Sequence, residues 1–185
     1  MRNKFTFLAI GLMLFATFQI NAQTVLLNED FNGTSLPTGW TRTQAAGSDG
    51  FEFGSTAALS SAAFTIPAHT GNITAANDDD CNCNASIDYL ITPAITIGAS
   101  ASAILEFDAF YGNLTYQGAT EEVTIEVSTD GGTTWTSVYT LPGDITQWLT
   151  YTVDLSAYSG QTINVGFHYD DDGGWTYGFG LDNVV

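Results

Sequence analysis

Apolar and polar residues alternate in short runs along this chain, and the runs predict strands. The segment Ile104-Leu105-Glu106-Phe107-Asp108-Ala109-Phe110-Tyr111 places Leu105, Phe107, Ala109 and Tyr111 on one side of an extended backbone. Val123, Ile125 and Val127 alternate with Thr124, Glu126 and Ser128. Leu149, Tyr151, Val153 and Leu155 alternate with Thr150, Thr152 and Asp154, and Ile163, Val165, Phe167 and Tyr169 repeat the pattern. A first strand is expected to start at Val25-Leu27-Phe31 and a last one to cover Tyr177 to Val185. No window holds a convincing 3.6-residue period, and Gly, Thr, Asn and Ser punctuate the runs. The reading is all-β, with antiparallel strands in a two-sheet sandwich and no internal repeat or linker.

Length and charge narrow this picture. The 185 residues allow one domain behind a leader. Residues 1–22 read as a secretory signal peptide: Arg2 and Lys4 precede an apolar run from Phe5 to Ile20, and Ala22 stands before a cut at Gln23. The run is short for a spanning helix and no basic stop-transfer segment follows, so no membrane insertion is expected after cleavage. The mature domain, 23–185, is expected to be secreted or held at the cell surface. Its end at Leu181-Asp182-Asn183-Val184-Val185 falls in an apolar strand, which predicts a C-terminally truncated piece of a larger multidomain chain.

The formal charge is −17, and removal of the leader leaves Arg42 alone against 20 acidic residues. Such a chain cannot neutralise phosphates, which excludes nucleic-acid partners and polybasic attachment to anionic lipid. Hydrophobic residues make up 44%, ample for a core despite the charge, which argues against disorder. Cations are the natural partners.

Four motifs carry chemistry. Ser128-Thr129-Asp130-Gly131-Gly132-Thr133-Thr134-Trp135 resembles the Asp-box of sialidases and other secreted β-proteins. Its residues suit a hairpin turn: Asp130 accepts backbone N–H bonds, Gly131 and Gly132 permit positive φ, and Trp135 packs beneath. Asp78-Asp79-Asp80-Cys81-Asn82-Cys83-Asn84 is the densest acidic loop. It starts like an EF-hand but carries Cys83 at the sharp-turn glycine and Tyr89 at the bidentate glutamate, so it reads as an irregular Ca²⁺ loop or a solvated one. Cys81 and Cys83 suit a local disulfide in an oxidising compartment, with free thiols next. Zinc would lack ligands beyond His69 and His168. Asp170-Asp171-Asp172-Gly173-Gly174 reads as an exposed tip more than as a second ion site.

Catalytic signals are sparse. There is no G-x-S-x-G elbow. Glu106 with Asp108, and Glu121 with Glu122, are carboxylate pairs without a supporting motif.

Three further stretches carry a family resemblance: Asn28-Glu29-Asp30-Phe31-Asn32-Gly33 with Leu36-Pro37-Thr38-Gly39-Trp40-Thr41, then Asp88-Tyr89-Leu90-Ile91-Thr92-Pro93-Ala94-Ile95, then Gly178-Phe179-Gly180-Leu181-Asp182-Asn183-Val184. In this order the chain resembles the cleaved-adhesin domains of Bacteroidetes surface proteins, MAM-like jelly rolls also called choice-of-anchor J domains. The resemblance spans residues 25–185. It implies a two-sheet antiparallel jelly-roll β-sandwich with structural Ca²⁺. It places Glu29, Asp30, Asn32 and Asp182 at the ion, with Asn77, Asp78 and Asp79 supplying further oxygens. Asn32 stands where many relatives carry Glu. Relatives often end in a sorting domain for type IX secretion.

These readings predict a non-catalytic adhesion domain for an extracellular glycan or protein. Trp148, Trp175, Tyr177 and Tyr116 are the candidates for stacking on sugar rings. The alternatives are an accessory or catalytic part of a secreted glycosidase or peptidase, and a structural spacer.

Overall fold

The computed structural model describes residues 23–185; the expected signal peptide lies outside them. Two antiparallel sheets face each other. In chain order the elements of the first sheet are β1 (Thr41–Thr43), β4 (Ile87–Ile91), β5 (Ile95–Thr96), β9 (Glu122–Ser128), β10 (Thr136–Thr140) and β12 (Thr162–Asp170). The second holds β2 (Phe51–Gly54), β3 (Ile73–Asn77), β6 (Ile104–Tyr111), β11 (Asp144–Asp154) and β13 (Gly178–Asp182). Their spatial orders are β1-β4-β12-β9-β10, with β5 beside β12, and β11-β6-β13-β3-β2. The fold is the all-β antiparallel sandwich that the alternation predicts.

The expected inward residues do face inward. Phe107, Ile125, Val165, Phe167, Phe179 and Leu181 are fully buried between the sheets. Burial of such side chains stabilises by about 1.5–3 kcal/mol each. Phe107 meets Phe167 edge-on at 5.2 Å between ring centres, which ties β6 to β12 across the interface.

A second apolar layer covers the outer face of β6-β13-β3. Phe64, Ile66, Ile73, Ala75 and Phe110 form it. The loop between β2 and β3 folds over the sheet to supply Phe64 and Ile66. Gly180 lets this cover come close: a Cβ there would lie 3.1 Å from Cη2 of Trp148.

Three expectations fail locally. Val25–Phe31 is not a strand; Glu29 forms a single antiparallel bridge with Val184, and Val25 and Leu26 are exposed. The last strand ends at Asp182, because Asn183 turns the chain at φ 51°. The acidic loop opens with one helical turn, α1 (Asp78–Cys81), capped by the Asn77 side chain, which accepts from the N–H of Asp80 at 3.0 Å.

Candidate functional site

A small hairpin, β7 (Thr115–Tyr116) and β8 (Ala119–Thr120), stands at one end of the sandwich, next to the Asp171–Thr176 turn and the segment before Phe64. Two of the four candidate aromatics meet here, and a third, Trp175, lies two residues away in sequence. The rings of Tyr116 and Tyr177 meet edge-on at 6.4 Å. Tyr116 is 44% exposed and Trp175, two residues before Tyr177, is 47% exposed. Such rings offer apolar faces with polar tips.

The start of the acidic loop helps to build this end, while Asp80, Asn82 and Asn84 face solvent. Asp78 is buried; its Oδ2 accepts from the N–H and hydroxyl of Thr176, and its Oδ1 from the Ser86 hydroxyl at 2.9 Å. Asp79 accepts from the N–H of Ala63 at 2.8 Å, and its own N–H donates to the Tyr177 carbonyl at 3.2 Å. Asn77 donates to the Leu59 carbonyl and accepts from the Ser61 hydroxyl. The segment thus anchors the Tyr177 strand on one side and the cover loop on the other. Cys81 and Cys83 are joined as a disulfide beside it.

Asp171 corrects the expectation of an exposed tip. It is fully buried, accepts from the N–H groups of Ser86 and Gly173 at 2.7 and 2.8 Å, and is raised above its usual pKa by burial. Of the three aspartates only Asp172 is exposed, and Gly173 after it is exposed too. Two backbone donors in a dry environment hold the turn more firmly than solvent would.

Under the aromatic rim lies a cavity of about 150 Å³, lined by Phe64, Phe110, Gly112, Leu114, Glu121 and Tyr177 among others. Glu121 is the carboxylate at its floor. Its Oε2 accepts from the Tyr169 hydroxyl at 3.2 Å and the N–H groups of Tyr177 and Gly178 at 3.3 and 3.0 Å; its Oε1 accepts from the Leu114 N–H at 3.1 Å. Burial pushes its pKa up to about 7, against the pull of these bonds. Glu122, its neighbour, is exposed, so the two carboxylates are not paired. The sequence carried no sign that Glu121 was special, because its partners are 7 to 57 residues away.

Trp148 does not join the rim. Its indole N–H donates to the Pro67 carbonyl at 3.0 Å, and its ring packs on His69 and Phe110. It clamps the cover loop onto the sheet.

The residues expected around calcium divide between two places. Asn77 pairs with Gly178 at one end of β13, while Asp182 stands at the other end, four residues along the strand and about 13 Å away. Asn77, Asp78 and Asp79 therefore do not converge with Asp182. At the Asp182 end, Glu29 lies on the bridge to Val184, and the negative charges of Asp30 and Asp108 oppose ionisation of Asp182. Asn32 is turned away to Asn72, whose N–H its side-chain oxygen accepts at 3.1 Å.

Asp182 is buried and its pKa is raised to about 6, chiefly by desolvation. Its Oδ2 lies 3.0 Å from Nδ1 of His69, whose Nε2 is 3.5 Å from Asp108. Its Oδ1 is buried without a hydrogen-bond partner. That oxygen lies on the side of the fold where Glu29 bridges Val184 and the charge of Asp30 acts on Asp182. His69 bridges the two aspartates rather than converging with them, and among the described residues no group of three or more His, Cys, Asp or Glu forms a ready metal cage.

Two other features bear on ligand choice. On the outer face of the first sheet, Tyr89 stacks on His168 at 4.1 Å, and Glu126 accepts from Tyr89 and Thr124 and lies 3.2 Å from Nδ1 of His168. That carboxylate is already occupied by its neighbours. A larger cleft, about 880 Å³, opens beside Gln23–Leu27 and Ser100–Leu105, and no charged side chain lines it. The Tyr116–Tyr177 end joins an exposed ring to a cavity lined by a buried carboxylate.

No family model matches the sequence, and no curated protein matches it significantly. Solved structures match the fold. The K3 cleaved adhesin domain of Lys-gingipain from Porphyromonas gingivalis superposes with a TM-score of 0.58 at 18% identity, over 86% of this chain and 97% of that one. The K1 cleaved adhesin domain of the same protein gives 0.55 at 19% identity, over 85% and 95%. A module described as TmCBM61 in complex with β-1,4-galactotriose gives 0.54 at 14% identity, over 84% and 92%. The chain thus has the jelly-roll β-sandwich fold shared by adhesin domains and carbohydrate-binding modules. Among the described residues no helix is long and apolar enough to cross a membrane.

Proposed function

We propose that this chain is a secreted or surface-held, non-catalytic binding domain of the cleaved-adhesin (choice-of-anchor J) type, and that its ligand is a glycan held at the aromatic end. The observation that carries this reading is the edge-on pair of Tyr116 and Tyr177, of which Tyr177 lines the cavity and Tyr116 is about half exposed, with the half-exposed Trp175 two residues before Tyr177. Sugar rings present C–H faces that stack on such surfaces, while their hydroxyls need a few fixed polar groups. Structural calcium belongs to this proposal too, at Glu29, Asp30 and Asp182, where it would relieve carboxylates crowded without a nearby Lys or Arg.

The test is a glycan array probed with the mature domain, followed by titration of the best oligosaccharides. Trp175→Ala and Tyr116→Ala are expected to weaken binding at least tenfold with little change in melting temperature. Binding that survives both substitutions would move the site elsewhere. A domain that binds no glycan at millimolar concentration would leave the spacer or protein-adhesion reading.

A further inference from the structure

The cavity under Tyr177 holds a carboxyl group with no cation beside it. Glu121 is almost wholly buried, and every group that bonds it is a neutral donor. The titratable groups around it are Tyr111, which donates to its carbonyl at 2.7 Å, and Tyr169 and Tyr177; Asp78 lies behind Thr176, and Glu122 follows it in sequence. None is a cation. Arg42, the sole Lys or Arg of residues 23–185, donates to the Phe51 carbonyl instead.

The bonds are also uneven. A carboxylate offers about four acceptor positions, two per oxygen. Oε2 takes three donors and Oε1 one, so an acceptor direction remains on Oε1. Oε1 lies on the side of Gly112 and Leu114, both of which line the cavity. Leu114 packs closely on Gly112 at this side, where a Cβ would lie 2.7 Å from Cγ of Leu114 and 3.4 Å from Oε1 of Glu121. The cavity has the liquid volume of about five waters, enough for the substituted edge of one sugar ring.

We propose that this cavity is a subsite for a protonated primary amine carried on a sugar ring, so that the preferred glycan is one with free 2-amino groups. This rests on the glycan reading of the aromatic end. The ammonium would donate to the open side of Oε1 and lie near the Tyr177 ring, while the sugar ring stacks on the exposed aromatics. The overall charge of −17 adds long-range attraction for a polycationic glycan. The exposed rings favour a cyclic amine over a lysine side chain, whose flexible stem would use the cavity but not the rim. The upward displacement of the Glu121 pKa to about 7 is relieved when a cation arrives, so binding near neutral pH releases a proton.

The experiment is calorimetric titration of the mature domain with tetramers of glucosamine, N-acetylglucosamine and glucose, and with an Nα-acetyl-lysine amide, at about 0.15 M salt to screen surface attraction. The glucosamine tetramer is expected to bind at least tenfold tighter than the other three. Near pH 7 its heat should depend on buffer ionisation in the sense of proton release. Glu121→Gln should erase both the preference and the proton release while leaving the surface carboxylates in place. Should that variant melt at room temperature, Ala63→Trp, which replaces an exposed methyl at the cavity wall, should lower glucosamine affinity by a similar factor. Equal or tighter binding of the neutral or acetylated tetramer, or a preference kept by Glu121→Gln or by Ala63→Trp, overturns the amine subsite and leaves the glycan reading standing. Tightest binding of the lysine derivative overturns the sugar source. If no glycan binds, here or on the array, both fail together.

Discussion

The indole of Trp135 lies against Gly166: a methyl at Gly166 would come within 3.0 Å of Cζ3 of Trp135 and 3.3 Å of Cδ1 of Tyr89. The turn that begins at Ser128 therefore closes over the outer face of the first sheet instead of projecting from it. Gly166→Val would add a side chain that strands otherwise favour, yet here it must push Trp135 and Tyr89 aside. It is expected to destabilise by about 1–3 kcal/mol in urea unfolding. A neutral or stabilising result would mean that Trp135 is not seated there.

The same turn makes a pH prediction. Asp130 accepts from the N–H groups of Thr133 and Thr134 at 3.1 and 2.9 Å, from the Thr134 hydroxyl, and from Ser128. The Thr134 bonds lead in holding its pKa down, from 3.8 to about 2. A lowered folded-state pKa stabilises the fold above pH 3.8, and that contribution is lost as pH falls toward 2. Asp130→Ala should therefore melt below wild type at neutral pH, with the gap closing between pH 4 and 2. Because the turn lies away from Tyr177, glycan affinity should not change.

Glu121 has the opposite sign. Its folded-state pKa, about 7, lies above the usual 4.5, so folding favours the protonated form. Stability is then greatest below about pH 4.5, falls as pH rises toward 7, and levels off beyond. Asp182, raised from 3.8 to about 6, adds to the same downward slope. Melting temperature against pH should decline over this window in metal-free buffer. Glu121→Gln should flatten the part between pH 6 and 7. A profile that rises there would mean that Glu121 is fully ionised at no cost.

Calcium gives the next test. A ligand that binds the folded state alone stabilises by RT ln(1 + [L]/Kd), about 2.7 kcal/mol at a hundredfold excess over Kd. EDTA is expected to lower the melting temperature by several degrees and Ca²⁺ to restore it. Asp182→Asn should remove the difference, whereas Asp79→Asn should keep it, since Asp79 lies by the other end of β13. Identical melts in EDTA and in millimolar Ca²⁺ would dismiss the ion and leave His69 as the partner of Asp182.

The sequence by itself determined the strands of the core. Leu105, Phe107, Ala109 and Tyr111, and likewise Ile163, Val165, Phe167 and Tyr169, are buried as their period of two requires, because burial of one strand face is written in local alternation. It also determined the Asp130 turn, whose donors lie within four residues. The sites were decided by tertiary structure. Asp78 looked like part of a solvated or ion-binding loop until its bond to Thr176, 98 residues away, placed it inside. Glu121 looked like one carboxylate among 20 until β13 and the tyrosines closed around it. Trp148 and Trp175 carry the same side chain, yet the first is held by Pro67 under the cover loop and the second is about half exposed. Desolvation and long-range hydrogen bonds set the chemistry of a polar group, and neither is encoded in the residues next to it.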